Sequence, residues 1–146
     1  MIIGIVGSRR RNSLQDELEL HRKLFEIAVK HDISTDDLTI VTGDCDEGGD
    51  KFARRLAKDG KDAGIKLDEK KIKHPQTGEE LDFKDHVYFN YYTMTSIFYR
   101  RNEEIAKEPL DYLIALVAPD RTGGTENTIK HFKRLHKDWK EKLIIL

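Results

Sequence analysis

The sequence predicts an α/β protein, a three-layer α/β/α sandwich in which helices cover both faces of a mainly parallel five-stranded sheet. Two observations predict it. Short runs rich in β-branched residues recur along the chain, and amphipathic stretches at helical spacing separate them, which is the pattern of successive βαβ units. Glycine-bearing loops also follow three of the runs directly, as expected where a parallel strand turns into a helix.

The elements follow in order. Ile2 to Val6 reads as the first strand, and Asn12 or Ser13 stands where it can cap the helix that comes next. That helix carries a stripe of Leu14, Leu18, Phe25 and Ala28, with Leu24 and Ile27 beside it, and the stripe is expected to face the sheet. Leu38 to Thr42 is the second strand, followed by a helix striped with Phe52, Ala53, Leu56 and Ala57. Ile65 to Ile72 is the third and least apolar strand, which suits an edge. A long irregular stretch then runs from His74 to about Tyr91, a length that compact domains usually keep for binding loops or lids. The third helix carries Ile97, Phe98 and Ile105, and the fourth strand spans Tyr112 to Ala118. Ile129, Phe132, Leu135 or His136, and Trp139 stripe a fourth helix before the last strand, Leu143 to Leu146. Right-handed crossovers then put the first and fourth strands side by side, at the switch point where open α/β sheets bind ligands. With 146 residues and no internal repeat or linker, one domain over residues 1–146 is expected.

Charge and composition narrow the function classes. The 26 basic residues nearly balance the 27 acidic ones, so no global field draws in nucleic acid or an anionic membrane. Lys130, Lys133, Arg134, Lys137, Lys140 and Lys142, with His131 and His136 among them, read as a solvated helix face or a modest nucleic-acid patch, and the near-zero charge makes the second the weaker reading. No apolar run approaches the roughly 20 residues of a membrane span, and no basic leader opens the chain. Cys45 has no partner cysteine, so a reducing, cytoplasmic setting is expected. Asp44 to Asp50 resembles a calcium loop only superficially, because Arg55 stands where the bidentate glutamate belongs. No histidine pair has zinc spacing, and neither a metal nor a cofactor is expected.

The candidate chemistry lies in three loops. Gly7-Ser8-Arg9 follows the first strand, Gly43-Asp44 through Gly48-Gly49-Asp50 the second, and Thr122-Gly123-Gly124-Thr125 the fourth. In a parallel sheet all three emerge at the same carboxyl edge. Helix N-termini there offer unpaired N–H groups and a positive dipole end, glycine admits close approach, and Arg9, Arg10 and Arg11 supply donors, which together suit a phosphate. The alternative is that the glycines only make tight turns and the arginines are solvated. Acidic neighbours raise the Cys45 thiol and disfavour it as a nucleophile. His86, Tyr88, Phe89, Tyr91 and Tyr92 could stack on a base, join the core or form a dimer surface.

Taken together, Gly7-Ser8-Arg9, Val41-Thr42-Gly43-Asp44 through Gly49-Asp50, Arg101-Asn102 and Gly124-Thr125 resemble the SLOG superfamily of Rossmann-like proteins, relatives of the Lonely-guy phosphoribohydrolases and the Smf/DprA proteins. The resemblance covers essentially the whole chain and is closest to the small stand-alone members. It implies a nucleotide or nucleotide-derived ligand at the carboxyl edge, and homodimers or larger assemblies. By this resemblance Gly7, Ser8 and Arg9 hold phosphate or ribose from one side, Gly123, Gly124 and Thr125 from the other, and Arg101 pairs with the phosphate beside Asn102. Gly43 and Asp44 shape the third wall with Asp50, the ribose acceptor. The phosphoribohydrolase glutamate pair falls on Asn127 and Thr128, and Glu126 is displaced by one position. Catalysis, if present, therefore rests on Arg101 with Asp50 or Glu126, since glycosidic cleavage needs a carboxylate near the developing positive charge. A sensor without turnover is the leading expectation, an N-glycosidic hydrolase the alternative, and a single-stranded nucleic-acid binder the third.

Overall fold

The computed structural model describes the whole chain, residues Met1–Leu146. Five strands, β1 (Ile2–Gly7), β2 (Thr39–Gly43), β3 (Lys66–Lys70), β4 (Tyr112–Leu116) and β5 (Leu143–Ile145), form one sheet in the order β3-β2-β1-β4-β5. Every pairing is parallel. Helices α1 (Leu14–His31), α2 (Gly49–Asp59), α3 (Tyr91–Lys107), α4 (Gly124–Leu135) and the single turn α5 (Trp139–Lys142) complete the chain. This is a three-layer, Rossmann-like α/β sandwich with β1 and β4 adjacent and β3 at an edge. No helix is long and apolar enough to cross a membrane.

Strand periodicity builds two cores. Ile3, Ile5, Ile40, Ile114 and Leu116 point to one side and meet Leu20, Leu24 and Ile27 of α1 with Phe52, Ala53 and Ala57 of α2. Val6, Val41, Leu113 and Ala115 point to the other and meet Ile105, Ala106, Ile129 and Phe132 of α3 and α4. Fully buried side chains such as Phe52 and Phe132 contribute about 1.5–3 kcal/mol each.

The helices differ from expectation in two places. The face of α1 that meets the sheet is Glu17, Leu20, Leu24 and Ile27, whereas Leu14, Leu18 and Phe25 are exposed. Two apolar stripes share this helix, and its start is fixed at Ser13, whose side chain accepts from the Asp16 N–H while the Asp16 carboxylate accepts from the Ser13 N–H, a capping box. Arg55 pairs with the buried Glu17 at 3.1 Å. The fourth helix stops at Leu135 and does not reach Trp139. His136 leaves it in an extended conformation, stacks on Phe132 and donates from Nε2 to the Ala106 carbonyl at 2.8 Å, tying that end to α3.

β3 is shorter than predicted because Ile72 turns inward, and its N–H donates to the Asp44 carboxylate at 3.0 Å. The stretch after it is ordered. The backbones of Lys73 and Glu80 form an isolated antiparallel β-bridge, a 3-10 helix occupies Phe83–Tyr88, and Asn90 caps α3 by accepting from the Thr93 N–H.

Candidate functional site

The ends of β1 and β4 open onto a cavity of about 420 Å³. Gly7, Ser8 and Arg9 form one rim, Thr122 to Thr125 the opposite one, and α3 supplies Tyr91, Thr95, Phe98, Arg101 and Asn102 as the wall between them. Of the residues expected at the site, Gly7, Ser8, Arg9, Asp50, Arg101, Asn102, Gly123, Gly124 and Thr125 line this cavity. Gly43, Asp44 and Glu126 do not.

The start of α4 is the open end of the cavity. Gly123 holds φ at +103°, a conformation strained for other residues, and no atom lies within 4 Å of where its side chain would sit. Its N-cap position makes no side-chain hydrogen bond, so the first N–H groups of α4 are left to an incoming acceptor. Asn102, itself buried, fixes this end by donating from Nδ2 to the Gly124 carbonyl at 3.1 Å and to Asn127 Oδ1 at 3.3 Å. Thus Asn127, at one of the expected glutamate positions, serves as a hydrogen-bond acceptor within the scaffold. Thr128, at the other, bonds back to Gly124 and lines the cavity.

The arginines divide sharply. Arg10 makes a bidentate pair with Asp120 at 2.8 Å and donates to Thr122 as well. Arg11 is absorbed by Asp16, Glu19 and the carbonyls of Val117 and Leu146. Arg9 has no acidic partner, and its guanidinium stands 6.0 Å from the Phe83 ring centroid. It is the free cation of the rim.

Arg101 is compensated from within the protein. Its Nη1 donates to Asp44 Oδ1 at 2.5 Å and lies 3.8 Å from Asp50, and Nη2 donates to Asn102 Oδ1 at 3.2 Å. All of these groups are largely buried. The expected phosphate partner is therefore first a partner of two carboxylates. Gly43 contributes space, because a side chain there would run into the Asp50 carboxylate and the Arg101 guanidinium. Burial pushes the Asp50 carboxyl above the usual range, against the opposing pull of Arg101, while its Oδ2 accepts from the Cys45 N–H at 3.3 Å. Burial also pushes the Cys45 thiol up, which keeps it protonated and unreactive.

No protein-family model, curated protein or solved structure matches the chain. The site is therefore read from its own geometry. Glu126 turns away from the cavity and pairs with Arg121 on the surface, as its position one residue before the expected one foreshadows. Among the aromatic residues, Tyr91 reaches the cavity and Tyr88 does not; Phe83, Phe98 and Tyr99 also line it. For Tyr91 and Phe98 the signal was present as spacing on α3, where Tyr91, Thr95, Phe98 and Asn102 recur every three or four residues on one face. Phe98, read as core, is half-buried and packs between Phe83 at 5.7 Å and the Arg101 guanidinium at 5.4 Å. No cluster of three or more His, Cys, Asp or Glu side chains has the arrangement of a metal site.

Proposed function

We propose that this protein binds a nucleotide or nucleotide-derived small molecule at the carboxyl edge of its sheet, as a sensor in the manner suggested by its resemblance to SLOG proteins. The observation that carries the reading is the uncapped start of α4, open at Gly123 and facing the unpaired Arg9 across the cavity. A phosphate accepts from the free N–H groups and from Arg9, with Ser8 and Thr125 as flanking donors. Phe83 and Phe98 offer an apolar surface for a base. Arg101 orders this wall rather than neutralising the phosphate by itself, since Asp44 and Asp50 already claim it.

A second reading, cleavage of an N-glycosidic bond, rests on Asp50. It is the one carboxylate of Asp44, Asp50 and Glu126 that lines the cavity, and its raised pKa suits proton transfer. A thermal-shift screen with nucleoside monophosphates, cyclic nucleotides and ADP-ribose tests both readings. A ligand at about a hundred times its Kd adds roughly 2.7 kcal/mol, several degrees in a domain of this size. Arg9→Ala is expected to abolish the shift. Free base among the products, lost in Asp50→Asn, establishes the hydrolase; binding without product establishes the sensor.

The same reading includes a cytoplasmic setting, in keeping with the lone Cys45, and self-association. Leu14, Leu18, Phe25 and Val29 are 71%, 52%, 69% and 64% exposed on one face of α1, an apolar stripe unusual for a monomer's surface. Tyr88, Tyr91 and Tyr92 form a second, smaller exposed group. Sedimentation of the wild type as a dimer and of Phe25→Glu as a folded monomer is expected; a monomeric wild type removes self-association.

A further inference from the structure

The exit of β3 carries cations that the cavity described above does not use. Ile72 is fully buried, so alternation turns Lys71 and Lys73, on either side of it, away from the core. On α3, Ile97, Arg100, Arg101 and Glu104 recur at three- and four-residue spacing and present one face to the same place. Between these walls, with the turn from His74 to Gly78 at its side, lies a second cleft of about 360 Å³. Of its lining residues only Ile97 is apolar among those named, and Glu104 is the single acid.

The cleft is built rather than incidental. One buried carboxylate clasps both walls: Asp44 Oδ2 accepts from the Ile72 N–H at 3.0 Å, and Asp44 Oδ1 accepts from Arg101 Nη1 at 2.5 Å. Lys73 takes up Glu104 at 2.9 Å, which leaves Lys71 and Arg100 without an acidic partner. The Arg101 side chain is only 10% exposed, yet its Nε–H is buried with no acceptor. In a chain of formal net charge -1, this concentration of cations is a local feature.

We propose that this cleft is an anion site for a phosphate-class oxyanion, held by Lys71 and Arg100 with Arg101 behind them. It is distinct from the cavity at α4, although Arg101 contributes to the walls of both. The oxyanion is either a second phosphate of the ligand in that cavity or a separate anion. The cleft stands independently of the proposed function, because Lys71 and Arg100, its principal donors, do not line the cavity at α4.

Calorimetric titration with inorganic pyrophosphate at low ionic strength tests the site. The wild type is expected to bind it, with affinity falling as salt is added. The double variant Lys71→Ala/Arg100→Ala is expected to bind at least about tenfold more weakly, since charge-assisted donors are lost, with an unchanged melting temperature because neither side chain has a partner in the fold. Arg9→Ala, which removes the rim cation of the α4 cavity and lies outside this cleft, is expected to retain the binding that the double variant loses. No binding by the wild type overturns the proposal, as does binding that survives in the double variant and disappears in Arg9→Ala. A nucleoside 3′,5′-bisphosphate weakened by both sets of substitutions identifies a ligand spanning the two sites. One weakened by Arg9→Ala alone, with pyrophosphate still bound, identifies a separate anion.

Discussion

Two helix starts at the carboxyl edge use the same residues for opposite ends. α2 and α4 both begin at the second residue of a glycine pair, and in each the N-cap glycine has no side chain to cap the helix. At α2 the glycines let backbones meet: a side chain on Gly49 would lie 2.6 Å from the Gly7 nitrogen, and the Gly48 N–H is taken by Asn12 Oδ1 at 3.0 Å. At α4 the space is empty around Gly123, and a side chain on Gly124 would meet only Asn102 Nδ2, at 3.6 Å. One start is closed by the protein itself, and the other is open. A glycine-bearing loop after a parallel strand thus reports a close approach without saying what approaches.

The contrast can be broken by substitution. Asp44→Ala is expected to be the most damaging change, at about 3–5 kcal/mol, because it strips the buried Arg101 of its nearest counter-charge and frees the Ile72 N–H; a urea unfolding curve measures it. Gly49→Ala follows at about 1–3 kcal/mol, since the obstacle is backbone and cannot swing aside. Gly124→Ala is expected to leave stability unchanged or raise it by up to about 1 kcal/mol, as alanine favours a helix over glycine. Equal losses in the two glycine variants would erase the distinction between the starts.

Asp50, at the closed start, sharpens it through pH. Burial raises its carboxyl pKa in the folded state, so the folded protein holds the proton more tightly than the unfolded chain does. Its contribution to stability is therefore fully present below the ordinary carboxylate range and is lost as pH rises through the folded value. Relative to the wild type, Asp50→Asn is expected to gain stability as pH is raised through that window, by unfolding curves taken in acid and at neutrality. A difference independent of pH would show that Arg101 fully offsets the burial. The smallest expected effect on stability belongs to the open start, where Arg9→Ala should change the unfolding free energy by less than about 0.5 kcal/mol while removing the ligand-induced shift.

The β-branched runs, the helical stripes and the weakly apolar third strand carried the fold, its strand order and its edge, because periodicity and crossover handedness leave few arrangements. The same reasoning placed three loops at one edge before any contact was known. It chose the wrong stripe of α1, because Leu14-Leu18-Phe25 and Leu20-Leu24-Ile27 both satisfy helical spacing and only the docking of the helix selects the second. It did not foresee that Arg10 and Arg11 are occupied while Arg9 is free, since Asp120, Asp16 and Glu19 reach them through the folded geometry.

By itself, then, the sequence determined the architecture and the edge at which the glycine-bearing loops gather. Local spacing and strand order are properties of the chain, and they survive without knowledge of distant partners. The tertiary structure alone decided which groups at that edge are spent and which are available: Arg101 on Asp44 and Asp50, Glu126 on Arg121, and the Gly48-Gly49 pair on the backbone from Val6 to Ser8. A charge or a donor is available only relative to what stands within a few ångströms of it, and those neighbours come from residues far away in the chain.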